Sequence, residues 1–131
     1  MEEQDWLDFR NFWEGEFRCR CGCGAAAMDR EFIDLLQQLR STSGPMIVSS
    51  GYRCPAHNTA VSSTGDDGPH TTGKAADIQI VGEGAMNLLR HAINDERFTG
   101  IGINQRGPLH GRFIHLDILN TTGMRPALWT Y

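Results

Sequence analysis

The chain has 131 residues, a formal net charge of −4 and a pI near 5.7, with 40% hydrophobic and 21% charged side chains. That is the balance of one globular domain with a single core. No apolar run approaches the roughly 20 residues that span a bilayer, and a single lysine, Lys74, without any Lys/Arg cluster, points away from both membrane insertion and nucleic acid.

The start, Met1-Glu2-Glu3-Gln4-Asp5, is acidic and lacks the positive charge and apolar stretch of a secretory signal. Synthesis in the cytoplasm is therefore expected, with any extracellular target reached by other means. Residues 1–18 mix Trp6, Leu7, Phe9, Phe12, Trp13 and Phe17 with acids, which suits a short amphipathic helix or an arm wrapped on a core formed by residues 19–131. Cys19-Arg20-Cys21-Gly22-Cys23-Gly24 follows. From Met28 to Arg40 the period is helical, with Phe32, Ile33, Leu35, Leu36 and Leu39 on one face. Asp29 can cap its start, and Gly44-Pro45 ends the connection.

Met46-Ile47-Val48 reads as a short buried strand, and Pro55 as the first turn of a helix reaching about Val61. Residues 62–73 have loop composition. Ala75–Val81 reads as a strand and residues 83–95 as a helix turning Met86, Leu88, Leu89, Ala92 and Ile93 inward. Ile101–Asn104 and Phe113–Leu119 are strands, joined through Arg106-Gly107-Pro108 as an antiparallel pair. The order of elements predicts an α+β fold, with a small, mostly antiparallel sheet flanked by helices.

Two segments carry the chemistry: His70-Thr71-Thr72-Gly73-Lys74-Ala75-Ala76-Asp77 and Phe113-Ile114-His115-Leu116-Asp117. Side chains alternate across a strand. Ala76, Ile78 and Ile80 therefore share one face and Asp77 the other; Ile114, Leu116 and Ile118 share one face, with His115 and Asp117 opposite. An acid and a histidine on neighbouring strands can thus converge on a cleft. Two imidazoles and a carboxylate form a suitable catalytic zinc set, leaving a fourth position for water. Zinc lowers the pKa of such a water and polarises a scissile carbonyl. Without a metal, the same residues would be a loop histidine, a strand-end acid and a core histidine.

The pattern His-x-x-Gly-x-Ala-x-Asp, followed by a strand carrying His-x-Asp, resembles the zinc D-Ala-D-Ala carboxypeptidase family in its phage-type and small bacterial branch. Ser50-Gly51-Tyr52-Arg53-Cys54-Pro55-x-x-Asn58, Gly100-Ile101-Gly102 and Arg125-Pro126-x-x-Trp129 extend the likeness over residues 17–131. The resemblance implies a hedgehog/DD-peptidase-like fold and one catalytic Zn2+ held by His70, Asp77 and His115. It also implies that Arg53 grips a substrate carboxylate or carbonyl, a task that suits its planar fork. The implied substrate is a peptidoglycan stem peptide or cross-bridge, cut by a monomeric carboxypeptidase or endopeptidase. Without a signal peptide, such an endopeptidase looks like a phage lysis enzyme that reaches the wall after release or within a virion. A wall-binding module that keeps the fold without activity is the alternative.

Two departures stand out. Relatives place an acid or histidine shortly before the last metal ligand, whereas positions 112 and 113 here are Arg and Phe. Asp117 and His110 remain as candidates for the base; Asp117 could instead orient a ligand imidazole. The loop before His70 reads Val61-Ser62-Ser63 and Gly68-Pro69, where relatives carry Val-Gly-Gly and a serine. Relatives also share the cysteine-rich entry and a cysteine after the Tyr-Arg pair. That places Cys54 near Cys19, Cys21 and Cys23, as ligands of a second, structural Zn2+, as disulfides formed after release, or as free buried thiols.

Overall fold

The computed structural model describes residues 1–131. In chain order its regular elements are α1 (Arg30–Ser43), β1 (Ile47–Ser50), α2 (Pro55–Val61), β2 (Ala75–Gln79), α3 (Gly82–Ile93), β3 (Gly100–Asn104), β4 (Phe113–Asp117) and β5 (Ala127–Thr130). The strands form one sheet in the order β1-β2-β4-β3-β5, antiparallel except for the β3–β5 pair. The fold class is thus α+β, as the order of elements predicts. No helix is long and apolar enough to cross a membrane.

Amphipathicity explains the layering. Phe32, Ile33, Leu35, Leu36 and Leu39 of α1 are all buried, and the Asp29 carboxylate caps the helix by accepting the Phe32 N–H at 3.1 Å. They join Ala76 and Ile78 of β2, Ile101 of β3 and Ile114 and Leu116 of β4 in one core. One face of the sheet is therefore apolar and covered, which leaves the face bearing Asp77, His115 and Asp117 for other work.

The first 18 residues form two 3-10 turns, Glu3–Asp8 and Glu14–Phe17, not a continuous helix. Trp6, Phe9, Phe12 and Phe17 belong to the core, while Leu7 and Trp13 face outward. The Phe17 carbonyl accepts the Tyr52 N–H at 2.9 Å and ties the arm to the segment after β1.

Helix α3 corrects the expected inward set. Ala85, Leu88 and Ala92 are buried, but Met86 and Ile93 are 51% and 54% exposed. The small alanines allow close approach to the core, so the buried stripe is narrower and rotated from that marked by the largest side chains. The chain after β4 returns as β5 beside β3, an element that sequence periodicity does not reveal.

Candidate active site

The antiparallel register pairs Asp77 on β2 with His115 on β4, and Gly102 on β3 with His115 from the other side. Directly opposed residues project from the same face about 5 Å apart at Cβ. The third member arrives from outside the sheet: the segment 62–73 is not loop throughout, because Pro69–Thr72 forms a 3-10 turn that delivers His70. All three side chains are buried.

His70 Nδ1 lies 2.8 Å from the Gly51 carbonyl oxygen. A carbonyl only accepts, so Nδ1 carries the hydrogen and Nε2 keeps its lone pair. That Nε2 sits 3.3 Å from Asp77 Oδ1, and His115 Nδ1 approaches the same oxygen at 2.9 Å. Behind the ring, His115 Nε2–H donates to Asp117 Oδ2 at 2.8 Å, which directs Nδ1 inward. The donor atoms of His70, Asp77 and His115 all lie within 4.8 Å of one another. Zinc bonds of about 2.0–2.2 Å place neighbouring donors about 3–3.5 Å apart. The donor types, their spacing and the outward-facing hydrogens of both imidazoles therefore fit a zinc ion.

Charge reinforces this set. Burial alone would raise the Asp77 pKa, but hydrogen bonds and charge from His115 and His70 hold it well below the carboxylate range. Burial would lower that of His115, yet Asp117 and Asp77 together raise it. Without metal, the two carboxylates stabilise an imidazolium between them. A divalent cation between the same donors would supply positive charge in place of that proton.

Asp117 is 0% exposed. Besides His115, it accepts Arg125 Nε at 3.0 Å and Nη2 at 2.8 Å. Its bond to His115 is made at Nε2, on the side of the ring away from Asp77, and it does not line the cleft over the triad. The expected alternatives of base and orienting group thus meet a geometry built for orientation. His110 is exposed on the 3-10 turn Leu109–Gly111 and lines a separate groove with Pro45, Ile47 and Gln79. The structure does not place it among the residues that line the cleft over the triad.

The cleft over the triad measures about 690 Å³. Arg53 lines one side: its Nη2 is 3.6 Å from Asp77 Oδ2, and Nη1 donates to Asn58 Oδ1 at 3.1 Å. The fully buried Asn58 also donates from Nδ2 to Thr64 Oγ1 at 2.8 Å and to the Gly65 carbonyl at 2.5 Å. One amide thus fixes both the arginine and the loop at the cleft edge. That loop contributes Asp67, the one lining carboxylate besides Asp77.

Part of the cleft wall is aromatic and comes from the tail. The Trp129 ring lies 5.2 Å from that of His115, with the Arg125 guanidinium 5.0 Å from the indole on its other contact. Tyr131 packs against Phe113 at 5.0 Å. Glycine makes this possible. A Cβ at Gly102 would stand 2.5 Å from Trp129 Nε1, and one at Gly100 would collide with the Asp117 carboxylate. Gly102 thus leaves the space beside His115 that the tail fills, and Gly100 the space that the Asp117 carboxylate fills. Tyr131 and Asp67 carry no motif that marks them in the sequence; only the return of β5 and the Asn58 clamp place them here.

A family model described as Peptidase M15 matches residues 10–117, whereas no curated protein and no solved structure matches the chain. The match takes in the second half of the arm, the arginine segment, His70, Asp77, His115 and Asp117, and stops before the aromatic tail. The chain belongs to the peptidase M15 family, that of the zinc D-Ala-D-Ala carboxypeptidases.

Proposed function

We propose that this protein hydrolyses amide bonds in peptidoglycan stem peptides or cross-bridges, with one zinc held by His70 Nε2, Asp77 and His115 Nδ1. The observation that carries the reading is the convergence of these donors beside the Arg53 fork in an open cleft. Zinc at such a site supplies Lewis acidity toward a carbonyl and lowers the pKa of water. The protein's own residues do the rest. Arg53 receives a carboxylate or carbonyl of the peptide and fixes the scissile bond over the triad. Asp67 is the cleft carboxylate available to take a proton. Tyr131 offers a phenolic donor to the charge that develops on the carbonyl oxygen. Asp117 and Arg125 act through His115 as positioning residues, and Trp129 shields the ring from solvent. We place the reaction at the bacterial wall, in a phage-type lytic setting.

Mass spectrometry of peptidoglycan fragments incubated with zinc-loaded protein tests this, with His115→Ala as the control. Loss of one terminal residue from a stem pentapeptide identifies a carboxypeptidase; conversion of cross-linked dimers to monomers identifies an endopeptidase. Either product should vanish in the variant and with a chelator. A zinc-loaded protein that binds wall but cleaves none of these substrates would overturn the reading in favour of an inactive wall-binding module.

A further inference from the structure

A second gathering of metal-ligating side chains lies outside the cleft. Cys19, Cys21, Cys23 and Cys54 bring their sulfurs within 4.8 Å of one another. The loop that carries the first three is closed by the Cys19 N–H, which donates to the Ala25 carbonyl at 2.7 Å. Gly22 and Gly24 hold φ of 89° and 80°, the left-handed region that side chains resist. These two reversals let three cysteines within five residues face one point instead of splaying along an extended chain. Cys54 enters from the start of α2 and donates its backbone N–H to Cys19 Sγ at 3.3 Å.

The separations discriminate between chemistries. Cys19 Sγ lies 3.4 Å from Cys21 Sγ and 3.7 Å from Cys54 Sγ, and Cys21 Sγ lies 3.7 Å from Cys54 Sγ. All four cysteines are unpaired. A disulfide would single out one partner, whereas these three sulfurs form a nearly equilateral triangle. Zinc–sulfur bonds of about 2.3 Å in a tetrahedron set sulfurs about 3.8 Å apart. Hydrophobic packing offers no competing reason for the cluster, since Cys21 and Cys23 are exposed.

We propose that Cys19, Cys21, Cys23 and Cys54 form a closed, four-thiolate structural zinc site. Binding releases the four thiol protons to solvent as four Zn–S bonds form, and no coordination position is left for substrate. The site staples the loop 19–24 to the residue that follows Arg53. The Arg53 N–H in turn donates to the His70 carbonyl at 3.1 Å, so the staple steadies the segment between both cleft residues. This proposal is independent of the peptidase reading.

Zinc content per chain tests it on the purified full-length protein. The expected result is two zinc ions in the wild type and one in His70→Ala/His115→Ala. That double variant, loaded with cobalt, should show an intense thiolate-to-cobalt charge-transfer band. Cys21→Ser/Cys23→Ser should lose one ion and the band. If that variant fails to fold, the histidine variant alone decides. Absence of both zinc and the band from it would overturn the proposal. So would cysteines that resist alkylation in denaturant without reductant, since they would be disulfide-bonded.

Discussion

Replacing Asp117 with asparagine tests the reasoning about the triad's support. The carboxylate is fully buried and accepts from His115 Nε2, from Arg125 twice and, at 3.3 Å, from the Leu119 N–H. An amide of the same shape keeps one acceptor oxygen but turns an NH2 toward a donor and removes the charge opposite Arg125. Breaking a buried ion pair costs about 3–5 kcal/mol. The Arg125 side chain retains 11% exposure, so the lower end, about 3 kcal/mol, is expected. In a domain of this size that lowers Tm by on the order of 10 °C. Loss of the group that orients a metal-binding histidine weakens metal affinity about 10–100-fold, or about 1.4–2.8 kcal/mol. Competition with a chromophoric chelator measures the affinity, and a thermal melt of the metal-free protein measures the stability. Unchanged affinity and melting would refute the orienting role. Unchanged affinity with a loss of kcat of about a thousandfold would instead make Asp117 the base.

Three further outcomes are expected. Gly102→Ala places a methyl group 2.5 Å from Trp129 Nε1 and 3.0 Å from the Tyr131 hydroxyl. Stability should fall by about 1–3 kcal/mol and kcat/KM should fall with it, whereas unchanged kinetics in steady-state assays would remove the aromatic wall from the site. Asn58→Ala frees Arg53 and the loop at once; a stability loss of about 1–3 kcal/mol is expected, and KM for a stem peptide should rise more than kcat falls. Asp67→Asn should lower kcat by about 10²–10⁴-fold; an unaltered kcat would assign the proton transfer elsewhere.

The parts of this molecule legible in the sequence are those governed by local periodicity. Helix α1 shows its buried face because five large apolar residues repeat at helical spacing, and all five are buried. The alternation in β2 and β4 separates core from cleft because a period of two fixes the faces once the strands are recognised. That is also why Asp77 and His115 can be expected to meet, although only the antiparallel register makes them direct partners. In α3 the same reasoning overweights bulk: Met86 and Ile93 point outward, while the smaller Ala85 and Ala92 make the contact. Strand β5 escapes notice because it is four residues long, lies at the sheet edge and alternates between half-buried and exposed positions.

The non-local parts are those that topology alone decides. Nothing in the spacing of Asp117 and His110 around His115 tells which one supports the triad; His110 lines a separate groove, while Asp117 is held between His115 and Arg125 from the tail. Asn58 stands in the arginine motif by resemblance, but its task shows only when its amide is seen holding Arg53 and Gly65. Gly102 acquires a reason only when the tail returns over it, and Gly100 only when the Asp117 carboxylate is seen against it.

Anomalous-difference diffraction at the zinc edge, on crystals of the zinc-loaded protein, addresses the catalytic metal most directly. Besides any peak at the four cysteines, a peak bounded by His70 Nε2, Asp77 Oδ1 and His115 Nδ1 is the expected result, with Gly51 and Asp117 still bonded to the opposite nitrogens. No peak there at saturating zinc, or one that requires either imidazole to turn round, would contradict the metal site on which the peptidase reading rests.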